Sequence, residues 1–169
     1  MSVTIRRAAP DDVDFLVELL NHEEVDPYLA ARRDADRDSL AEEVARSERE
    51  PEALGRFLIE VDGERAGAMR FERSNERSRI ARLGGLAVHP RFRGRRLADE
   101  AAQLFQLYLF DELGFHRLEL EIYGFNERAI AHAERCGYVR EGAKRKAYLK
   151  NGEWQDAVLF ALVREDLDA

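Results

Sequence analysis

The sequence predicts an α/β fold, a single domain over residues 1–169 with a mixed central sheet flanked by helices, in the order β-α-α-β-β-β-α-β-α-β-β. Three observations carry this. Runs of strand-like alternation interleave with amphipathic helical patterns along the whole chain. Asp62-Gly63 and Asn151-Gly152 each stand between strand-like runs, as two-residue hairpin turns do. An apolar run, Gly85-Leu86-Ala87-Val88-His89-Pro90, passes through a loop carrying Arg91, Arg93, Gly94, Arg95 and Arg96 straight into an amphipathic helix.

Val3 to Arg7 reads as the first strand. Pro10 opens a helix, with Asp11 and Asp12 placed to complement its dipole and Val13, Leu16, Val17 and Leu20 on its buried face. Residues 21–37 look irregular, and a second helix covers Asp38 to Arg49. Strands follow at Phe57–Val61, at Arg65–Glu72, and, beyond a polar turn at Ser74–Ser78, at Ile80–Val88. The next helix runs from about Arg95 to Leu113, with Leu97, Ala101, Leu104, Phe105, Tyr108 and Leu113 near one stripe and Gly114 as its stop. His116–Tyr123 alternates as a strand: Leu118, Leu120 and Ile122 share one face, Arg117, Glu119, Glu121 and Tyr123 the other. Asn126 is placed to cap a short helix of Glu127–Arg135, closed by Gly137. Two strands around Asn151-Gly152 finish at Val163.

Composition narrows the class. Hydrophobic residues make up 45% of the chain, yet no apolar run approaches the ~20 residues of a membrane span. The segment Met1–Arg7 lacks the apolar stretch of a signal peptide, and Cys136 is the single cysteine, so a disulfide framework and a cysteine metal cluster are excluded. The expectation is a cytoplasmic protein. A net charge of −7 argues against nucleic acid as partner, despite the local arginine cluster. His22, His89, His116 and His132 show no metal spacing, and no metal is expected.

The strand–loop–helix junction aims loop amides and a helix N-terminus at one point, where they can bind a phosphate. It has neither the dinucleotide glycine spacing nor the Lys-Ser/Thr phosphate loop. Together with the order of elements, Leu86-Ala87-Val88-His89-Pro90 and Arg93-Gly94-Arg95-Arg96-Leu97-Ala98 resemble the GCN5-related N-acetyltransferases. Asn126-Glu127-Arg128-Ala129-Ile130, Cys136-Gly137-Tyr138 and Asn151-Gly152-Glu153-Trp154 are similar to the spermidine and ribosomal-protein N-acetyltransferase branch. The resemblance spans about Thr4 to Leu167; residues 22–55, where such enzymes shape the acceptor site, match nothing in particular.

The resemblance implies acetyl-coenzyme A as cosubstrate and an amine as acceptor: a polyamine, an aminoglycoside or a protein N-terminus. It implies that amides of Arg93, Gly94, Arg95, Arg96, Leu97 and Ala98 cradle the diphosphate, and that the backbone of Leu86, Ala87 and Val88 pairs with the pantetheine. An amide in that strand would stabilise the thioester oxyanion, and Asn126 would contact the cofactor. Glu121, five residues before Asn126, matches a glutamate assigned as base in the ribosomal-protein enzymes. Two positions depart from the pattern. Arg96 stands where the phosphate loop normally has glycine, a costly replacement if that backbone needs positive φ. Ala133 stands where a tyrosine commonly protonates the departing thiolate, which leaves a coenzyme A-binding module without catalysis as the alternative. A homodimer is allowed. Glu23, Glu24, Asp26, Asp34 and Asp36 could favour a cationic acceptor, but Arg32, Arg33 and Arg37 partly cancel them, and a solvated loop is the preferred reading. Cys136 reads as a small packing residue, and His132 as lying on a different helix face from Ala133.

Overall fold

A computed structural model describes residues 1–29 and 35–168. The expected order of elements is present: β1 (Val3–Arg7), α1 (Val13–Leu20), α2 (Arg37–Arg49), β2 (Leu54–Val61), β3 (Glu64–Asn75), β4 (Ile80–Val88), α3 (Leu97–Leu107), β5 (Arg117–Tyr123), α4 (Glu127–Arg135), β6 (Val139–Lys150) and β7 (Glu153–Val163). Strands form one sheet in the order β1-β2-β3-β4-β5-β7-β6. Every neighbouring pair is antiparallel except β4 and β5.

Alternation along the strands sorts side chains to the two faces. Phe57, Phe71, Phe105, Leu118 and Phe160 build the core on one face, beneath α3 and α4, while Leu58 and Ala68 turn to the other and meet Leu16, Leu19, Leu40 and Val44 of α1 and α2. Burying each such side chain stabilises by about 1.5–3 kcal/mol, enough to hold helices whose own turns are marginal.

Several boundaries differ from the periodicity, each for a local reason. The chain after Pro10 makes a 3-10 turn (Pro10–Asp12) before α1. Asp12 serves as a buried anchor there: it is 0% exposed, accepts hydrogen bonds from Arg6 at 2.7 and 2.9 Å and from Arg65 at 2.8 Å, and holds the Ala9 amide at 2.7 Å. Its pKa is lowered: burial raises it, and the Arg6, Ala9 and Arg65 hydrogen bonds overcome that. β3 continues to Asn75, through part of the expected turn, because β4 pairs with it as far as Ile80. α3 begins at Leu97, two residues late, since Arg96 has φ +54° and cannot continue a right-handed helix.

Two irregularities shape the middle of the sheet. Ala68 faces Ala87 and Arg70 faces Gly84, so Gly85 and Leu86 together oppose Met69: a β-bulge, with Gly85 at φ +61°. The parallel pair β4–β5 is joined only at Ile80↔Arg117, Ala81↔Leu118 and Arg82↔Glu119. Beyond Arg82 the two strands part while β5 stays paired with β7 as far as Tyr123↔Ala157. The sheet therefore opens as a V, with one edge of β4 from Leu83 onward left free.

Candidate active site

The V holds the chemistry. On the α3–α4 side it encloses a cavity of about 180 Å³ lined by Gly84, Gly85 and Leu86 of β4, Leu120, Glu121 and Ile122 of β5, and residues of α3 and α4. On the α1–α2 side lies a larger cleft of about 950 Å³, reaching Asp26, Leu40, Glu43, Arg56 and Lys150. Leu29, Arg70, Arg82, Leu83, Gly84 and Gly85 line both, so the two spaces meet at the bulge.

Leu86 is the one member of the trio 86–88 that borders the cavity; Ala87 is buried against the α1 side of the core, and Val88 packs partly buried against the opposite core. The bulge interrupts the ladder beside Leu86 and leaves backbone polar groups there unpaired within the sheet. The His89 amide bonds back to Ala66 at 2.7 Å, and by strand alternation the Val88 amide turns toward the open side of the V.

The loop 93–98 presents a second set of amides. Gly94 has φ +84°, and a Cβ built on it would meet nothing within 4 Å, so this face is clear for a ligand. The first amides of α3 have no acceptor within the helix. Arg96 adopts the left-handed conformation as N-cap, so the backbone does have the geometry for which glycine is the ordinary choice, and an arginine is strained into it. Arg93 donates to the carbonyl of Glu24 at 2.8 Å, tying the loop to the segment after α1. Asp99, in the first turn of α3, is held by His132 at 2.6 Å and Arg135 at 2.8 Å; hydrogen bonding from Arg135 and His132 outweighs burial and brings its pKa to about 2. The charge of a carboxylate close to the 93–98 turn is thereby offset by a cationic partner. Such an open turn with free amides fits a diphosphate.

Asn126 caps α4: its Oδ1 accepts from the Ala129 amide at 3.2 Å, while its side chain borders the cavity. Its Nδ2 has no hydrogen-bond partner among the described residues.

Glu121 is the carboxylate that reaches the cavity from β5. Its Oε1 accepts from Lys144 at 2.6 Å, and its Oε2 from Tyr148 at 2.8 Å, with Arg82 Nη2 at 2.6 Å from the same oxygen. Burial alone would raise its pKa; hydrogen bonds from Lys144 and Tyr148 and the charge of Arg82 overcome this and bring it to about 2. No spacing in the chain points to these partners, which come from β4 and β6.

Ala133 is buried in the cavity wall, and His132 borders the same cavity. The two still diverge by the ~100° that separates neighbouring helix residues, His132 turning to Asp99 of α3, and the cavity wraps wide enough to touch both. Tyr138, missed as a site residue, borders the cavity too, and its amide bonds to the Ala133 carbonyl at 3.0 Å. Burial raises its phenol pKa above the ordinary range. Cys136 is buried as expected, and burial pushes its thiol up to about 11. Its Sγ lies 3.8 and 3.9 Å from the two ring nitrogens of His132, and the ligand atoms of Asp99, His132 and Cys136 all lie within 4.8 Å of one another, a cluster the histidine spacing in sequence does not reveal. Of the acidic loop residues, Asp26 and Asp36 border the large cleft, whereas Glu23 and Glu24 face solvent elsewhere. Arg32, Arg33 and Asp34 lie outside the described residues.

Known proteins share this architecture. A spermidine N(1)-acetyltransferase of Escherichia coli (strain K12) is 31% identical over 107 residues, which are 63% of this chain and 57% of that protein. A putative ribosomal N-acetyltransferase of Bacillus subtilis (strain 168), YdaF, is 25% identical over 171 residues, covering 97% of this chain and 92% of the other. The crystal structure of a spermidine N-acetyltransferase from Vibrio cholerae, in complex with CoA and spermine, superposes with a TM-score of 0.86 at 23% identity, covering 99% of this chain and 98% of that one. Residues 2–139 match the acetyltransferase (GNAT) domain, and with the splayed, bulged sheet in place the chain belongs to that family.

Proposed function

We propose that the chain is an acetyl-coenzyme A-dependent N-acetyltransferase in which a primary amine attacks the thioester directly. The observation that carries this reading is the meeting of two cavities at Gly84–Gly85, one lined by residues of α3 and α4 and the other by residues of α1 and α2. Two reactants entering from opposite sides would touch at the bulge, which favours direct transfer over a covalent relay; Cys136, with its raised pKa, is a poor nucleophile for one.

The amides of residues 93–98 would hold the diphosphate, the free edge of β4 at Leu86 and Val88 the pantetheine, and the Asn126 amide group a polar atom along it. The cosubstrate supplies an acetyl group activated as a thioester. A backbone N–H released at the bulge is positioned to stabilise negative charge on the carbonyl oxygen. Glu121 is the proposed catalytic carboxylate. A pKa of about 2 makes it a weak proton acceptor, so the free-base fraction of the amine is the species that attacks. The C–N bond forms, the C–S bond breaks, the nitrogen proton passes along Glu121 to water, and the departing coenzyme A thiolate takes a proton from water.

The relatives act on spermidine or carry a ribosomal assignment in their names, which supports a polyamine or a protein N-terminus as the acceptor. An aminoglycoside is the third candidate. Ala133 favours one second reading, a coenzyme A-binding module without turnover. A homodimer is supported by the outer strand β6 and the hairpin, where Leu149 and Trp154 are exposed. The test is coenzyme A release from acetyl-coenzyme A against a panel of amines, alongside the thermal shift with acetyl-coenzyme A alone. Turnover with any amine supports the enzyme, a shift without turnover supports the binding module, and neither refutes both.

A further inference from the structure

On the floor of the acceptor cleft, guanidinium groups crowd around shared carboxylates. Arg56, from β2, is only 4% exposed, and its Nε donates to Glu43 Oε1 at 2.7 Å. Arg70, from β3, donates to that same oxygen at 3.2 Å. Two guanidinium groups thus share one carboxylate from α2, and Arg70 reaches a second carboxylate of the cleft, Glu72, only at 3.5 Å. The pattern repeats on β4, where Arg82 and Lys144 both hold Glu121. Burial depresses the Arg56 pKa; Glu43 opposes this, and the charge of Arg70 adds to it. Buried guanidinium groups ordinarily satisfy their donors, because an unpaired one loses its hydration with nothing in return. Arg56 Nη1 has no hydrogen-bond partner among the described residues. It sits 3.3 Å from the point a Cβ on Gly85 would occupy, directly under the bulge where the two cavities meet.

The other charges around the cleft are already engaged elsewhere. Lys150 lies 3.8 Å from Asp26, Arg37 pairs with Asp14, and Asp36 caps α2 through the Ser39 amide at 2.7 Å. A polycation lying along the floor would face Arg70 and Arg82 above the unsatisfied Nη1 of Arg56. A carboxylate there would instead complete them, with the forked geometry guanidinium groups prefer.

We propose that the acceptor is a compact amino acid, its carboxylate gripped by Arg70 and Arg82 above Arg56 and its amine a few bonds away at the bulge. This rests on the N-acetyltransferase reading and narrows its acceptor. Compactness follows from Arg56 lying against Gly85, since anion and attacking nitrogen must then fit on the same short stretch of β4.

The test compares coenzyme A release by the whole chain with α-, β- and γ-amino acids, their carboxamides, the matching aminophosphonates and spermidine. The best amino acid is expected to exceed its carboxamide and spermidine in kcat/KM by about tenfold or more, since losing a charged hydrogen-bonded partner costs at least that factor. Arg70→Gln should remove this preference, read as the ratio of kcat/KM for the amino acid to that for its carboxamide, which falls toward one. A carboxamide as good as its acid, or spermidine in the lead, overturns the inference and leaves the N-acetyltransferase intact. Aminophosphonates in the lead overturn the carboxylate in favour of a phosphate-type anion. If nothing turns over, the same compounds are titrated into the coenzyme A-saturated protein. A thermal shift with the amino acid that is absent with its carboxamide and lost in Arg70→Gln supports the inference, and no such shift overturns it. Absence of any shift with acetyl-coenzyme A itself refutes the underlying function instead.

Discussion

Replacing Arg96 by glycine should make the free protein more stable, although it deletes a side chain. Arg96 sits at φ +54°, ψ +29° at the N-cap of α3. A left-handed residue bearing a Cβ costs roughly 1–2 kcal/mol, and glycine occupies that region at no steric cost. Against this stands the extra backbone freedom that glycine brings to the unfolded chain, about 0.5–1 kcal/mol. The balance is a gain of about 0.5–1 kcal/mol, or a rise in Tm of roughly 1–4 °C for a chain of this size. Arg96→Ala is the control. It removes the same guanidinium but keeps the strained backbone, so its Tm should stay within about 1 °C of the parent. Differential scanning calorimetry on the three proteins without ligand reads the effect. A glycine variant no more stable than the alanine variant would refute the claim that backbone strain resides here. Repeating the scans with acetyl-coenzyme A separates backbone from side chain: a smaller ligand-induced shift in both variants assigns the Arg96 guanidinium to the phosphates.

Three further outcomes are expected. Gly94→Asp should abolish the thermal shift with acetyl-coenzyme A while leaving the free protein folded, since the open face of Gly94 would then present a carboxylate to the diphosphate. Glu121→Gln should lower turnover without changing that shift, and its pH–rate profile above pH 6 should keep its position, because a group of pKa about 2 does not titrate there; an acid limb that disappears in the variant would show that Glu121 titrates near neutrality. Stability should fall on acidification: the Glu121 carboxyl is depressed from 4.5 to about 2 in the folded state, so its contribution is present above about pH 4.5 and is lost as pH falls toward 2. Chemical denaturation across that range should show a shallower decline for Glu121→Gln, and identical slopes would reject the linkage.

Helices and strands were legible because each has its own hydrophobic period and its own turn residues. Asp62-Gly63 and Asn151-Gly152 place two turns from local chemistry alone, and the arginine at position 96 can be flagged as strained because glycine's freedom is a local property. The bulge was not legible. Gly85 and Leu86 read as one more pair in a regular strand, and only the register against Met69 reveals the extra residue. Nor were the charge networks. Arg56 lies in an apolar strand, and its partner Glu43 is thirteen residues upstream on α2, so nothing in the intervening sequence couples them. Glu121 was singled out by resemblance, but its low proton affinity comes from Arg82, Lys144 and Tyr148, brought together by strand order rather than sequence proximity. Long-range pairing is where sequence pattern ends.

The three-residue seam between β4 and β5 makes the sheet two leaves sewn at one end. The leaf of β1–β4 carries the bulge, the phosphate-binding turn and most of the guanidinium floor; the leaf of β5–β7 carries Glu121, Lys144 and Tyr148. Away from the seam, contact across the gap rests on side chains such as the Arg82–Glu121 pair instead of a backbone ladder. A donor molecule threaded along the free edge of β4 would serve as a missing strand and stiffen the joint, so ordering on binding should extend to both leaves. Amino acids can also be exchanged on one leaf without disturbing the ladder of the other. A fold built this way can hold one donor constant while its acceptor drifts.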